Sequence, residues 1–232
     1  MRNLDYSTLG VTPRQEVNSN MVLDCDEVLV NISIPWIEKI YQNKDYFSQF
    51  INFPEKPLNK IDIYSRKKFL IEDLFEYKNE EYKDKCKNEI YSLYSENRFY
   101  DNLIPSRYGT SASMAASQSF INKVYIITRH IGSNQNLISK KGFLMKLFKS
   151  SKEKLNIIEI GANEKKSDKI KDINSIALYA EDELNNIIDV VENCNLDDTF
   201  INIPNYGYNK PNDKIIQYSN SSSLIINYFD PS

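Results

Sequence analysis

Three apolar residues, Met21-Val22-Leu23, run straight into Asp24-Cys25-Asp26-Glu27, and a second apolar run, Val28-Leu29-Val30, follows. An unbroken apolar run of this kind is the pattern of a strand buried on both faces of a parallel sheet. It predicts a first strand at about 21–25. From Asn31 to about Ser117 the pattern changes: no strong alternation, few glycines, and many Lys, Glu, Tyr and Phe. Pro35 with Trp36, Ile37, Ile40 and Tyr41, then Phe47, Phe50 and Ile51, fits a helix with proline in its first turn. Phe69-Leu70 with Leu74-Phe75, and Ile90 with Leu93-Tyr94, repeat the helical spacing. The segment 31–110 is therefore read as a module of three or four helices, its aromatics forming a small core rather than a ligand box.

Leu103-Ile104-Pro105-Ser106 breaks that module. A small-residue helix at Ser111–Phe120 then precedes a clear strand, Lys123–Thr128, and a polar loop from Arg129 to Asn136. Residues 137–150 predict a helix with Leu144, Leu147 and Phe148 inward and Lys140, Lys141, Lys146 and Lys149 outward, a solvated face. Strand Leu155–Ile160, a Lys-rich helix near 165–172, strand Ser175–Ala180, helix Leu184–Val191 and strand Thr199–Ile203 follow. The turn-rich stretch Pro204–Asn209 leads to a tail with one short apolar run, Leu224–Phe229. Strands alternating with helices predict an α/β fold, a Rossmann-like doubly wound parallel sheet. Its core is 21–30 and 111–232, with 31–110 inserted after the first strand and a polar arm at 1–20.

Composition narrows the function classes. The 232 residues are 41% hydrophobic and 26% charged, ordinary for a globular protein. A net charge of −3 gives no reason to expect general nucleic-acid binding. His130 is the only histidine, which leaves no His-rich zinc site and allows a Ser-His-Asp triad only around that residue. Cys25, Cys86 and Cys194 are odd in number and form no CxxC, so reduced thiols and a cytoplasmic location are expected. The first twenty residues do not read as a signal peptide, and no apolar run approaches the ~18 residues of a membrane span.

The polar residues of the α/β part fall where predicted strands end. Asp24 and Asp26 end the first, Thr128 the second, and Glu181-Asp182 follow Leu178-Tyr179-Ala180. The carboxyl edge of an open parallel sheet is where ligands bind. Two carboxylates spaced i, i+2 at the end of a buried strand repel each other, and a hard divalent cation with oxygen ligands relieves that repulsion. Asp24 and Asp26 thus read as a Mg²⁺ site with a nucleophile built into it.

Taken in order, these residues resemble the motifs of the haloacid dehalogenase superfamily of phosphatases, over about 20–205. Asp24-Cys25-Asp26-Glu27-Val28-Leu29 matches its D-x-D-x-(T/V)-(L/V) motif, and Val124–Thr128 its strand ending in Ser or Thr. Lys166, with Lys169 as second choice, resembles its helix-starting lysine, and Glu181-Asp182 its acidic pair. The resemblance implies Asp24 as nucleophile, giving an aspartyl-phosphate, and Asp26 as the acid and base. It implies Mg²⁺ held by Asp24, the Asp26 backbone carbonyl and Asp182, with Glu181 supporting, and Thr128 and Lys166 holding the phosphoryl oxygens. The insertion sits where the family's helical cap closes over small substrates, and its size resembles the 5′(3′)-deoxyribonucleotidase branch and phage-borne relatives. Glu27 departs from many small-substrate members, which have glycine there. The first expectation is a Mg²⁺-dependent phosphomonoesterase acting on a small phosphorylated substrate, nucleotides first. The alternatives are a binding or assembly module with little catalysis, for example in a virion, and a polynucleotide-end or phosphoprotein phosphatase.

Overall fold

The apolar run around Met21 lies at the centre of the sheet. In the computed structural model of the protein, which describes residues 19–130, 132–221 and 224–231, strand β1 covers Ser19–Leu23 and is buried throughout. The arm expected over 1–20 lies outside the described residues except for Ser19 and Asn20, which belong to β1. The segment that follows contains α1 (Ser33–Gln42), α2 (Lys44–Phe47), β2 (Ile51–Asn52), α3 (Lys60–Tyr64), β3 (Glu76–Tyr77) and α4 (Lys83–Tyr94). The strands β2 and β3 pair antiparallel, a small ribbon where only helices were expected. At two residues each they are too short to display a period of two.

Helix α5 (Arg107–Ala116) begins four residues before its predicted start because Ser106 caps it, accepting from the Gly109 N–H at 2.8 Å. Then come β4 (Ile121–Arg129), α6 (Asn134–Leu147), β5 (Leu155–Ile160), α7 (Ser167–Ile170) and β6 (Ile176–Ala180). They are followed by α8 (Leu184–Asn193), β7 (Phe200–Pro204), α9 (Asp213–Ser221) and β8 (Ile225–Phe229). Helix α9 was not expected, and the tail's apolar run is a sixth strand of the main sheet.

That sheet is parallel throughout, in the order β5-β4-β1-β6-β7-β8. Counting its own strands along the chain, this is 3-2-1-4-5-6, the doubly wound order. Alternate residues serve two cores, as a sheet covered on both faces requires. Met21, Leu23, Val124, Ile126, Leu178 and Ala180 share one with α5, α6 and the inserted segment. Val22, Ile127, Tyr179 and Ile201 share the other with Ile170, Ile187, Val190 and Ile215 of α7, α8 and α9. Burial of such side chains stabilises by about 1.5–3 kcal/mol each. The order reverses between β1 and β6, so the carboxyl ends of those two strands flank the crevice. No helix among the described residues is long and apolar enough to cross a membrane.

Candidate active site

Four strand ends supply the site. Beyond β1 the chain folds back on itself: Leu29 N–H donates to Cys25 O at 2.8 Å and Glu27 N–H to Val30 O at 2.8 Å. The reversal puts Glu27 at φ 60°, in the left-handed region that favours glycine. Glutamate is retained there because its buried carboxylate has partners on two sides. It accepts from the Ser33 N–H at 2.7 Å and from the Ser33 hydroxyl, in the first turn of α1, and from the Tyr206 hydroxyl after β7. The loop is held from beneath by α5, whose Ser106 Oγ donates to Val28 O at 2.6 Å. Gly109 lies so close that a Cβ there would stand 2.3 Å from Leu29 O.

Asp24 follows β1 and is anchored by its N–H to Ala180 O at 2.9 Å, so the ends of β1 and β6 are tied together. Its Oδ1 pairs with Lys166 Nζ at 2.8 Å, and the same ammonium meets Glu181 Oε2 at 2.5 Å. Lys166 is buried at the residue just before α7; Lys169 points away, to Glu164 on the surface at 2.9 Å. Oxygens of Asp24, Glu181 and Asp182, all buried, lie within 4.8 Å of one another. Burial pushes the Asp24 carboxyl up to about 6, against the pull of Lys166. Burial, then Asp24 and Glu181, push Asp182 well above the carboxylate range. Burial alone would lower Lys166, but Asp24 and Glu181 hold its pKa above the ordinary lysine value. Three carboxylates therefore face one ammonium. A hard oxygen donor set with excess buried negative charge fits a divalent cation.

Asp26 stands outside that cluster. Its Oδ2 accepts from Lys140 Nζ at 2.8 Å and the Tyr94 hydroxyl at 2.9 Å, and its Oδ1 from the Tyr100 hydroxyl at 2.6 Å. The expectation that Lys140 faces solvent is corrected here. It is fully buried in α6 and also donates to Thr128 Oγ1 at 3.2 Å. Lys140 is in phase with buried Asn136, Phe143 and Leu144, and that 3-and-4 spacing was the available signal. Lys141, one residue on, does face outward and pairs with Glu159. The structure thus brings together Asp24, Lys166, Glu181 and Asp182, with Asp26 and Thr128 beside them and joined to each other through Lys140. Lys140, Tyr94 and Tyr100, the partners of Asp26, are the site residues that sequence reasoning missed.

Above the acids lies a cavity of about 270 Å³. Its floor is Asp24, Asp26, Thr128, Lys166, Glu181 and Asp182; Trp36, Phe69 and Tyr91 of the inserted segment give it aromatic walls. Trp36 packs edge-on against Tyr91, with ring centres 5.2 Å apart, and donates Nε1–H to Ile90 O at 2.7 Å. Trp36 and Tyr91 are core and cavity wall at once, whereas Phe69 is exposed and belongs to the wall alone, so the expectation of a core alone was too narrow.

Comparison with known proteins adds the following. The sequence matches no protein-family model and no curated protein. Among solved structures, the chain is similar to a haloacid dehalogenase-like family hydrolase from Xanthomonas campestris. The identity is 12% and the TM-score 0.49, covering 94% of this chain and 92% of that one. It is also similar to a Bacteroides vulgatus protein named as a beta-phosphoglucomutase, at 13% identity and a TM-score of 0.39, covering 95% and 87%.

Two further features complete the site. Cys25, between the two aspartates, is a free thiol with no exposed surface, and burial, then Asp26, push its pKa well above the usual value. The Pro204–Asn209 turn closes one side: Tyr206 and Tyr208 stack at 5.1 Å, and the Tyr208 hydroxyl donates to Asp182 Oδ2 at 3.3 Å.

Proposed function

We propose that this chain is a Mg²⁺-dependent phosphomonoesterase acting through an aspartyl-phosphate on a small phosphorylated substrate, nucleotides first. The observation that carries the reading is the buried group Asp24–Lys166–Glu181–Asp182 at the carboxyl edge where the strand order reverses, under a cavity of small-molecule size. Asp24 attacks phosphorus: an Oδ–P bond forms as the ester P–O bond breaks, and water later cleaves the acyl phosphate. Asp26, which accepts from Lys140, Tyr94 and Tyr100, relays a proton from these donors to the leaving oxygen and later returns one taken from that water. Lys166 and Thr128 hold the phosphoryl oxygens as charge spreads over them. Asp24 and Asp182, with the Asp26 carbonyl and Glu181 in support, would hold a Mg²⁺ ion, whose charge would offset repulsion between carboxylate and phosphate. The aromatic walls Trp36, Phe69 and Tyr91 suit a planar group such as a base, and an enclosing insertion favours a small substrate over a polymer end or a phosphoprotein.

The experiment is phosphate release from nucleoside monophosphates and p-nitrophenyl phosphate, with and without Mg²⁺, with D24N as control. Metal-dependent release that D24N abolishes supports the reading. No release above D24N under any condition removes it and leaves the fold as a binding or assembly module.

A further inference from the structure

Arg66 is a cation in the cavity wall without an acid. It is only 6% exposed, and among the described residues it takes part in no ion pair. Its Nη1 donates to Ile63 O at 2.9 Å and its Nε makes a long contact with Phe69 O at 3.4 Å, while Nη2 donates to no described protein atom. The guanidinium lies over the paired rings of the 204–209 turn, 5.0 Å from the centre of Tyr206 and 4.7 Å from that of Tyr208. Gly207 pins this arrangement. Its N–H donates to Tyr64 O at 2.8 Å, and a Cβ there would come within 2.2 Å of Ser65 O and 2.6 Å of Arg66 O. Two stretches of chain some 140 residues apart are thereby fixed together, with the guanidinium beside both rings and part of its donor fork free of described protein partners.

A guanidinium taken out of water is costly unless an anion meets it. Every other buried cation of the site has one: Lys166 has Asp24 and Glu181, and Lys140 has Asp26. Arg66 borders the same cavity as the acids, and the Tyr208 ring beside its guanidinium carries the hydroxyl that donates to Asp182. Resting on the phosphomonoesterase reading, we infer that Arg66 is the subsite for a second anionic group of the substrate. That group is a carboxylate or a second phosphate, a few bonds from the ester that Asp24 attacks. The planar fork suits either by paired hydrogen bonds. Among nucleotides the inference favours those with phosphates on two positions over simple monophosphates.

The test is calorimetric binding of methylphosphonate and of straight-chain α,ω-bisphosphonates with two to six carbons, to the wild-type protein with Mg²⁺. The same ligands are then measured with R66A and R66K. A ω-carboxy phosphonate series distinguishes carboxylate from phosphate. The expected result is a length optimum at which a two-anion ligand binds about tenfold or more tighter than methylphosphonate. R66A loses that gain while keeping its methylphosphonate affinity. R66K retains charge without the fork and keeps only part of the gain, and it serves if R66A unfolds. Methylphosphonate binding with no gain at any length, or a gain that survives in R66A and R66K, overturns the second-anion subsite alone. Failure of every phosphonate to bind overturns the phosphomonoesterase reading together with it.

Discussion

Lys140 Nζ lies 2.8 Å from Asp26 Oδ2, a lysine with no exposed surface joined to a carboxylate 114 residues earlier in the chain. Burial alone would lower this lysine's pKa, yet Asp26, then Tyr94, hold it well above the ordinary value. The pair fixes the second aspartate of the motif to α6, and Tyr94 and Tyr100 fix it to the segment before Pro105.

Removing one partner of such a pair leaves the other charge uncompensated. K140M is therefore expected to destabilise by about 3 kcal/mol, the lower end for a buried pair because Asp26 retains some solvent contact. This corresponds to a melting temperature lower by roughly 6–12 °C. D26N/K140M should recover a large part of that loss. A double-mutant cycle by thermal melting checks it, and additive effects would show that the two side chains are not coupled.

Asp24 sets a pH dependence whose direction is the reverse of ordinary acid denaturation. Its folded pKa, about 6, lies above the 3.8 of the free side chain. Between those values the native state holds more protons than the unfolded state, so stability falls as pH rises from about 4 to about 6. Asp182 acts in the same direction. In EDTA at pH 7, D24N should melt higher than wild type by roughly 4–8 °C, for a relief on the order of 2 kcal/mol. An equal or lower melting temperature for D24N would mean that Lys166 already compensates the cluster.

Addition of Mg²⁺ at pH 7 should raise the melting temperature of the wild-type protein, with a smaller rise at pH 4.5, where protons compete for the raised carboxyls of Asp24 and Asp182. D182N should abolish most of the rise. Scanning calorimetry against Mg²⁺ concentration makes the measurement, and an equal response from D182N would remove Asp182 from the ligand set.

The two lysines near α7 should separate in a single assay. K166M should lower phosphate release by about 10²–10³-fold, the loss typical of one charge-stabilising donor. K169M, which removes only a surface pair with Glu164, should stay within about twofold of wild type. Comparable losses from both would sink the assignment of Lys166.

Glu27 gives a stability test of the loop itself. E27G relieves the left-handed backbone but removes the acceptor of Ser33 and Tyr206, so it should cost about 1–3 kcal/mol in urea unfolding. A neutral or stabilising E27G would mean that backbone strain outweighs those hydrogen bonds.

Five strands of the sheet and its carboxyl edge were legible because each strand is a short apolar run separated from the next by a helical pattern; α9 and the sixth strand, β8, were not. Met21–Leu23, Val124–Ile127 and Leu178–Ala180 needed no partner information to be read. Thr128, Glu181 and Asp182 were legible for the same reason, as the residues ending those runs. Charge pairing across distance was not. Lys140 sits among lysines that face water, and only its phase with Leu144 sets it apart; Asp26, which permits its burial, is remote in sequence. Arg66 lies in Ser65-Arg66-Lys67-Lys68, a run that reads as solvated, and the tyrosines that cover it come from the far end of the chain. The β2–β3 ribbon is held by contacts outside its own four residues.

Cys25 turns the loop after β1 into a clock. Wedged between two aspartates with its sulfur sealed off and its proton firmly held, the thiol meets a maleimide only when the loop breathes open. Half-buried Cys194 is modified ahead of it, so the delay between the two labelled peptides times the opening of the site. Whatever stills the loop slows the clock, and the tempo can be read by mass spectrometry without any knowledge of the substrate.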